Sequence, residues 1–199
     1  MRRLIIYLAA PFIATACATP AHIPPGAKYA SPIGQFSCGP FKLDTQVQPA
    51  FGPHGGTVRF IDEIGMTRID VEEFQPTLDT GALEQHPETV YLAYLAVQNL
   101  PLIKSAVPGA RFLDSRPGAI NEHTVFQSAI LMPGESDVIS GDGKRLDAVR
   151  GQVHYTNGRY MFTISVNSVA WPGKSSKEQV DAAYSNAASA FKKCTFPWK

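Results

Sequence analysis

Charge of either sign is scarce in this sequence. Lys and Arg together number 18 and Asp and Glu 17 in 199 residues, a formal net charge of +1. Without a basic stripe the chain offers no electrostatic footprint for nucleic acid. Cysteine is scarcer still, at positions 17, 38 and 194, and the short paired spacing of zinc ligands is missing. No phosphate loop, dinucleotide fingerprint or Gly-x-Ser-x-Gly elbow occurs, so three large enzyme classes have no motif here and no cofactor is implied. Long apolar runs are limited to Leu4 to Ile13, which is too short to span a bilayer as a mature anchor.

That run has a meaning of its own. Arg2 and Arg3 precede it, and Ala14-Thr15-Ala16 leads from it into Cys17. A basic start, a short apolar core and small residues before a cut site make a secretory signal over residues 1–16. The stretch Ala14-Thr15-Ala16-Cys17 resembles a bacterial lipobox, with Ala14 where Leu is usual. The resemblance implies that Cys17 is acylated and becomes the mature N-terminus; ordinary cleavage near Ala16 or Ala18 is the alternative. Ala18, not Asp, after the cysteine is compatible with sorting to the outer membrane. Residues 17–35, rich in Pro and small residues, read as an extended tether. A single domain is expected over 36–199, long enough for one core.

Export bears on the remaining cysteines. Cys38 and Cys194 lie near the two ends of the mature chain, and in an oxidising compartment such a pair is expected to form a disulfide.

Within the domain, Thr57 to Phe74 alternates about Gly65 as a hairpin. Pro87 opens a helix over 86–104, carrying Val90, Tyr91, Tyr94 and Leu95 at helical spacing, with Pro101 bending its last turn. Strands follow at 110–116 and 123–132, and a hairpin over 146–166 turns at Asn157-Gly158. Ser175 and Ser176, each three residues before Glu178 or Gln179, offer two capping boxes for a final helix to about Lys193. Two main helices packed on an antiparallel sheet make an α+β fold.

The element order resembles the PsbP-like family, an α/β/α sandwich. The carrying stretches are Thr57–Phe74, Val107-Pro108-Gly109-Ala110-Arg111-Phe112-Leu113, and Val149–Tyr155 turning into Tyr160–Val166. Extrinsic proteins of the photosynthetic oxygen-evolving complex share this fold, as does a nuclear-import factor that binds Ran. The resemblance implies binding and assembly more than catalysis, and no partner-binding residue is carried over.

Residue by residue, chemistry is thinly supplied. His123 and His154 fall on or beside strands that are candidates to be neighbours and form a candidate two-His metal site, though without a third ligand. His54-Gly55-Gly56 reads as a flexible loop, and Gly141-Asp142-Gly143 as turn chemistry. Tyr91, Tyr94 and Trp171 are candidates to line a ligand groove, with Tyr155, Tyr160 and Phe162 beside them. The expected protein is a non-enzymatic envelope lipoprotein, membrane-anchored and periplasm-facing, that binds an envelope protein. The alternative is a carrier of a small apolar ligand between helix and sheet. A dry cavity beside Tyr91 and Tyr94 would mark the carrier, convergent histidines an enzyme, and an exposed apolar patch a protein partner.

Overall fold

The computed structural model describes residues 21–32, 35–73 and 87–197. The signal segment and Cys17 lie outside the described residues, as do Phe74 to His86 and Trp198. Fifteen-odd residues of alternating polarity cannot hold a sheet alone, and here eight strands share one. They are β1 (Ala21–Ile23), β4 (Thr45–Gly52), β5 (Gly55–Asp62), β6 (Gly65–Glu73), β7 (Arg111–Ile120), β8 (His123–Met132), β9 (Ala148–Thr156) and β10 (Tyr160–Val169). Their order is β1-β4-β5-β6-β10-β9-β8-β7, antiparallel throughout. A small second sheet joins β2 (Tyr29–Ala30), β3 (Ser37–Cys38) and β11 (Cys194–Thr195).

Pairing begins earlier in the chain than composition indicates. Ala21, His22 and Ile23 pair with Val47, Gln46 and Thr45, so the tether expected through residue 35 is corrected over residues 21–32, which contribute strands to both sheets. Two prolines within strands fall where no ladder bond is needed. Pro49 in β4 lies beyond the three residues that β1 covers, on the strand's open edge, and Pro117 lies in the edge strand β7.

Two helical layers cover the two faces. Helix α3 (Ser176–Lys192) lies across β9 and β10, with Val180, Ala183, Tyr184, Ala187 and Phe191 buried beneath it. Of the two capping boxes, Ser175–Glu178 forms: the Ser175 hydroxyl accepts from Glu178 N–H and the Glu178 carboxylate from Ser175 N–H. The aromatic core on this side gathers Phe36, Phe162, Tyr155, Phe191 and Phe196. Cys38 and Cys194 face each other in the ladder of the small sheet and are joined by a disulfide, 156 residues apart in sequence. This ties the end of α3 to the start of the domain.

On the opposite face, α1 (Pro87–Tyr94) runs through a π turn (Leu95–Asn99) into α2 (Leu100–Ala106). Pro101 explains the widening. It has no N–H for the carbonyl one turn back and its ring would strike that carbonyl, so Leu100 N–H bonds Leu95 O instead. The sequence expectation of a bent last turn is thereby replaced by one wide turn inside a continuous helix.

Turn chemistry also differs in detail. Asn157 holds the β9–β10 turn with its side chain, its Oδ1 accepting from the N–H groups of Arg159 and Tyr160, and Gly158 alone takes positive φ. Asn121 and Glu122 both take positive φ between β7 and β8 and extend β7 to Ile120, past the Arg116 expected from sequence.

Candidate functional site

Strand alternation divides the sheet's side chains into two sets. Val153 and Tyr155 of β9 and Phe162 and Ile164 of β10 enter the α3 side. Gln152 and His154 of β9, Thr163 and Ser165 of β10 and Ser128 of β8 point to the other face, and all five are buried. Polar groups so placed need partners. His154 Nε2 lies 2.9 Å from the Ser128 hydroxyl and Nδ1 3.1 Å from that of Thr163. Thr163 in turn donates to the Tyr94 hydroxyl at 3.4 Å, and Tyr94 donates to Glu72 at 3.1 Å. Burial pushes the His154 imidazole down to about 3, so it is held neutral. Burial likewise raises the Glu72 carboxyl, opposed by the bond from Tyr94.

The two histidines do not converge. His123 packs its ring on Tyr155 and Phe191, on the α3 side, whereas His154 meets Tyr94 on the other. The sheet stands between them, so the two-His site is corrected. Register explains it: β8 and β9 are neighbouring strands, but Phe126 is the residue opposite His154, and His123, three positions before Phe126, faces the other way. Among the described residues no group of three His, Cys, Asp or Glu side chains is placed to hold a metal ion.

Nor do the three aromatic candidates meet. Tyr91 stacks on Phe126 with ring centroids 5.9 Å apart, its hydroxyl donating to Thr124 O and accepting from Thr156 N–H. Tyr94, Leu95 and Met161 complete that buried cluster. Trp171 is half exposed in the link to α3, where its carbonyl accepts from Gln179. Tyr91 and Tyr94 are core residues with engaged hydroxyls.

Open space lies one helical turn further along. A cleft of about 520 Å³ separates the π turn and α2 from the sheet. Asn99, Leu102, Ile103, Ala106 and Val107 form its helical wall; Arg59, Arg68, Asp70, Glu72, Arg150 and Gln152 form much of its sheet wall. It is therefore a charged cleft, not the dry apolar cavity that a carrier of apolar ligands requires. Arg68 clamps Asp70 through Nε and Nη2 at 2.7 to 2.9 Å. Arg150 donates from Nε to Asn167, and burial lowers its pKa. The Asn99 Oδ1 atom is buried and has no hydrogen-bond partner among the described residues. Sequence reading missed this site, although Arg68-x-Asp70-x-Glu72 and Arg150-x-Gln152-x-His154 show its signal: polar residues at period two in strands central to a sheet.

A second feature is the outer face of the same helical layer, where Leu92 and Val97 are 45% and 74% exposed; Leu102, 64% exposed, belongs to the cleft wall. None of the described helices is long and apolar enough to cross a membrane.

Comparison with known proteins gives a fold. No family model matches the chain, and no curated protein sequence matches it. The solution structure of the cyanobacterial PsbP protein CyanoP from Synechocystis is similar, with a TM-score of 0.51 and 11% identity over 86% of this chain and 92% of that one. A crystal structure from Bacteroides thetaiotaomicron has a TM-score of 0.45 and 15% identity, with 87% of this chain matched to 49% of that protein. At 11% identity the likeness to CyanoP speaks for architecture, and the fold of this chain is PsbP-like α+β.

Proposed function

We propose that this chain is a non-catalytic binding module of the bacterial envelope, exported by residues 1–16, held at a membrane by a lipid on Cys17, and docked to an envelope protein through the outer face of α1 and the π turn. The observation that carries the docking is the exposure of Leu92 and Val97 on a helical layer whose Tyr91, Tyr94 and Leu95 pack against Phe126 and Met161. A solvent-exposed apolar side chain by itself means little; two on one helical layer offer an apolar contact to a partner. The PsbP-like fold supports a binding role without specifying it. The lipobox-like Ala14-Thr15-Ala16-Cys17 supports the tether.

Both halves are testable in native membranes. A photo-crosslinking residue at Val97 is expected to trap a discrete envelope protein, absent when the same group replaces Ile64, which is exposed on the β5–β6 turn. Intact mass should show a mature start at Cys17 with added acyl mass, and Cys17→Ser should release the chain from the membrane. An unmodified terminus near Ala18 would remove the tether, and identical adducts from both crosslinking positions would remove the docking face.

A further inference from the structure

We propose that the cleft under the π turn binds a small polar molecule through its oxyanion, a carboxylate or phosphate group, seated against Arg150 and Arg59, with a neighbouring hydroxyl or N–H of the ligand donating to Asn99 Oδ1. This site is separate from the outer helical face and goes beyond the docking role.

The argument rests on which charges in the cleft are already engaged. Three guanidinium groups and three carboxylates face it, from Arg59, Arg68, Arg150, Asp70, Glu72 and Glu135. Asp70 is committed to Arg68 and to the Thr57 hydroxyl. Glu72 is held by Tyr94, deep on the sheet. Arg150 makes one hydrogen bond, from Nε to a neutral amide, and enters no ion pair among the described residues; Arg59 enters none either. Asp70 and Glu135 act on Arg150 only at longer range, and Arg68 and Arg59 oppose them. A guanidinium drawn out of water without a carboxylate partner is costly, and an oxyanion in its fork relieves that cost.

Asn99 gives the second requirement. Asn99 ends the π turn in the cleft wall, and its buried Oδ1 is without a partner among the described residues. A buried acceptor left without a donor carries the whole cost of its lost hydration. Wide turns recur at functional sites because they re-aim one side chain without ending the helix. The ligand thus needs an anionic group and a donor a few bonds apart, within a space of about 520 Å³. Glucose has the donors without the charge, and gluconate has both.

Calorimetric titration of the purified full chain in detergent distinguishes these cases. Gluconate or glycerol 3-phosphate is expected to bind saturably at one site, and glucose not to bind. Arg59→Gln, at an exposed position, and Arg150→Gln should each weaken binding at least tenfold, whereas Arg111→Gln on β7 should leave it unchanged. Asn99→Asp should abolish it by adding negative charge. Absence of saturable binding for both anions, equal binding of glucose, or unaltered affinity in Arg59→Gln would overturn the proposal. Should Arg150→Gln fail to fold, Arg59→Gln and Asn99→Asp still decide.

Discussion

The carbonyl oxygen of Ala183 lies 2.1 Å from where a Cβ on Gly151 would stand. Helix α3 therefore lies directly on the backbone of β9, and the closeness depends on one missing side chain. Gly151→Ala must push the helix away or bend the strand, because the obstructing atoms are backbone. A loss of about 1–3 kcal/mol is expected, the usual scale of overpacking. Gly141→Ala is the control, since nothing stands within 4 Å of that position. Thermal or denaturant unfolding of the two variants measures the contrast, and equal stability would mean that α3 does not sit this close.

How much of this was legible beforehand depends on the range of the interaction. The α3 capping box, the Gly65 and Asn157-Gly158 turns and the amphipathic helix over 87–106 are set by residues within a few positions of each other, and their sequence signals sufficed. Strand β4 escaped because Pro49 breaks its pattern, and its tolerance depends on how far β1 reaches along it. The histidines lie on neighbouring strands as the sequence suggests, but their faces depend on register, since a shift of one residue exchanges the faces of a sheet. The cleft required knowing that β6 pairs with β10, almost a hundred residues later, which puts Asp70 opposite Thr163. No local pattern contains that pairing.

The disulfide acts on the same α3 packing from its far end. Joining Cys38 to Cys194 closes a loop of 156 residues, for which loop-closure entropy gives about 4–5 kcal/mol, with measured values often lower. Under non-reducing conditions neither cysteine should react with an alkylating reagent, and reduction should lower the unfolding midpoint. A Cys38→Ala, Cys194→Ala variant should then be insensitive to reductant. Alkylation of both cysteines in the native, unreduced chain would exclude the bond.

His154 sets an acid limb of stability. Its imidazole is driven from an ordinary 6.5 to about 3 by burial, so the unfolded chain binds its proton first as pH falls. The contribution is whole above pH 6.5 and declines from there toward pH 3. Carboxylates whose pKa is lowered in the fold, such as Glu73 and Asp142, act in the same direction but below their ordinary values of 4.5 and 3.8. The interval from pH 6.5 to 4.5 therefore separates them. His154→Gln, which retains a donor and an acceptor for Ser128 and Thr163, should flatten the midpoint-against-pH curve there. A slope unchanged in that variant would show that the imidazole is not the titrating group.

Glu72 opposes this trend from the same hydrogen-bonded chain, and Tyr94 tempers it. Burial raises the Glu72 carboxyl above 4.5 and the Tyr94 hydroxyl pulls it back by favouring the charged form. A raised carboxyl stabilises the fold most below pH 4.5, and that contribution is lost as pH rises through its folded value. Tyr94→Phe keeps the ring against His154 and removes only the donor. Glu72 should then titrate at a higher pH than in the parent, as read by carboxyl carbon shifts in NMR, and the fold should lose about 0.5–1.5 kcal/mol at neutral pH. The outer helical face should keep its crosslinked partner throughout, because Leu92 and Val97 point away from this network. A downward shift of Glu72 in Tyr94→Phe would mean that the hydroxyl had been holding the protonated carboxyl, reversing the polarity of the chain from His154 to the cleft.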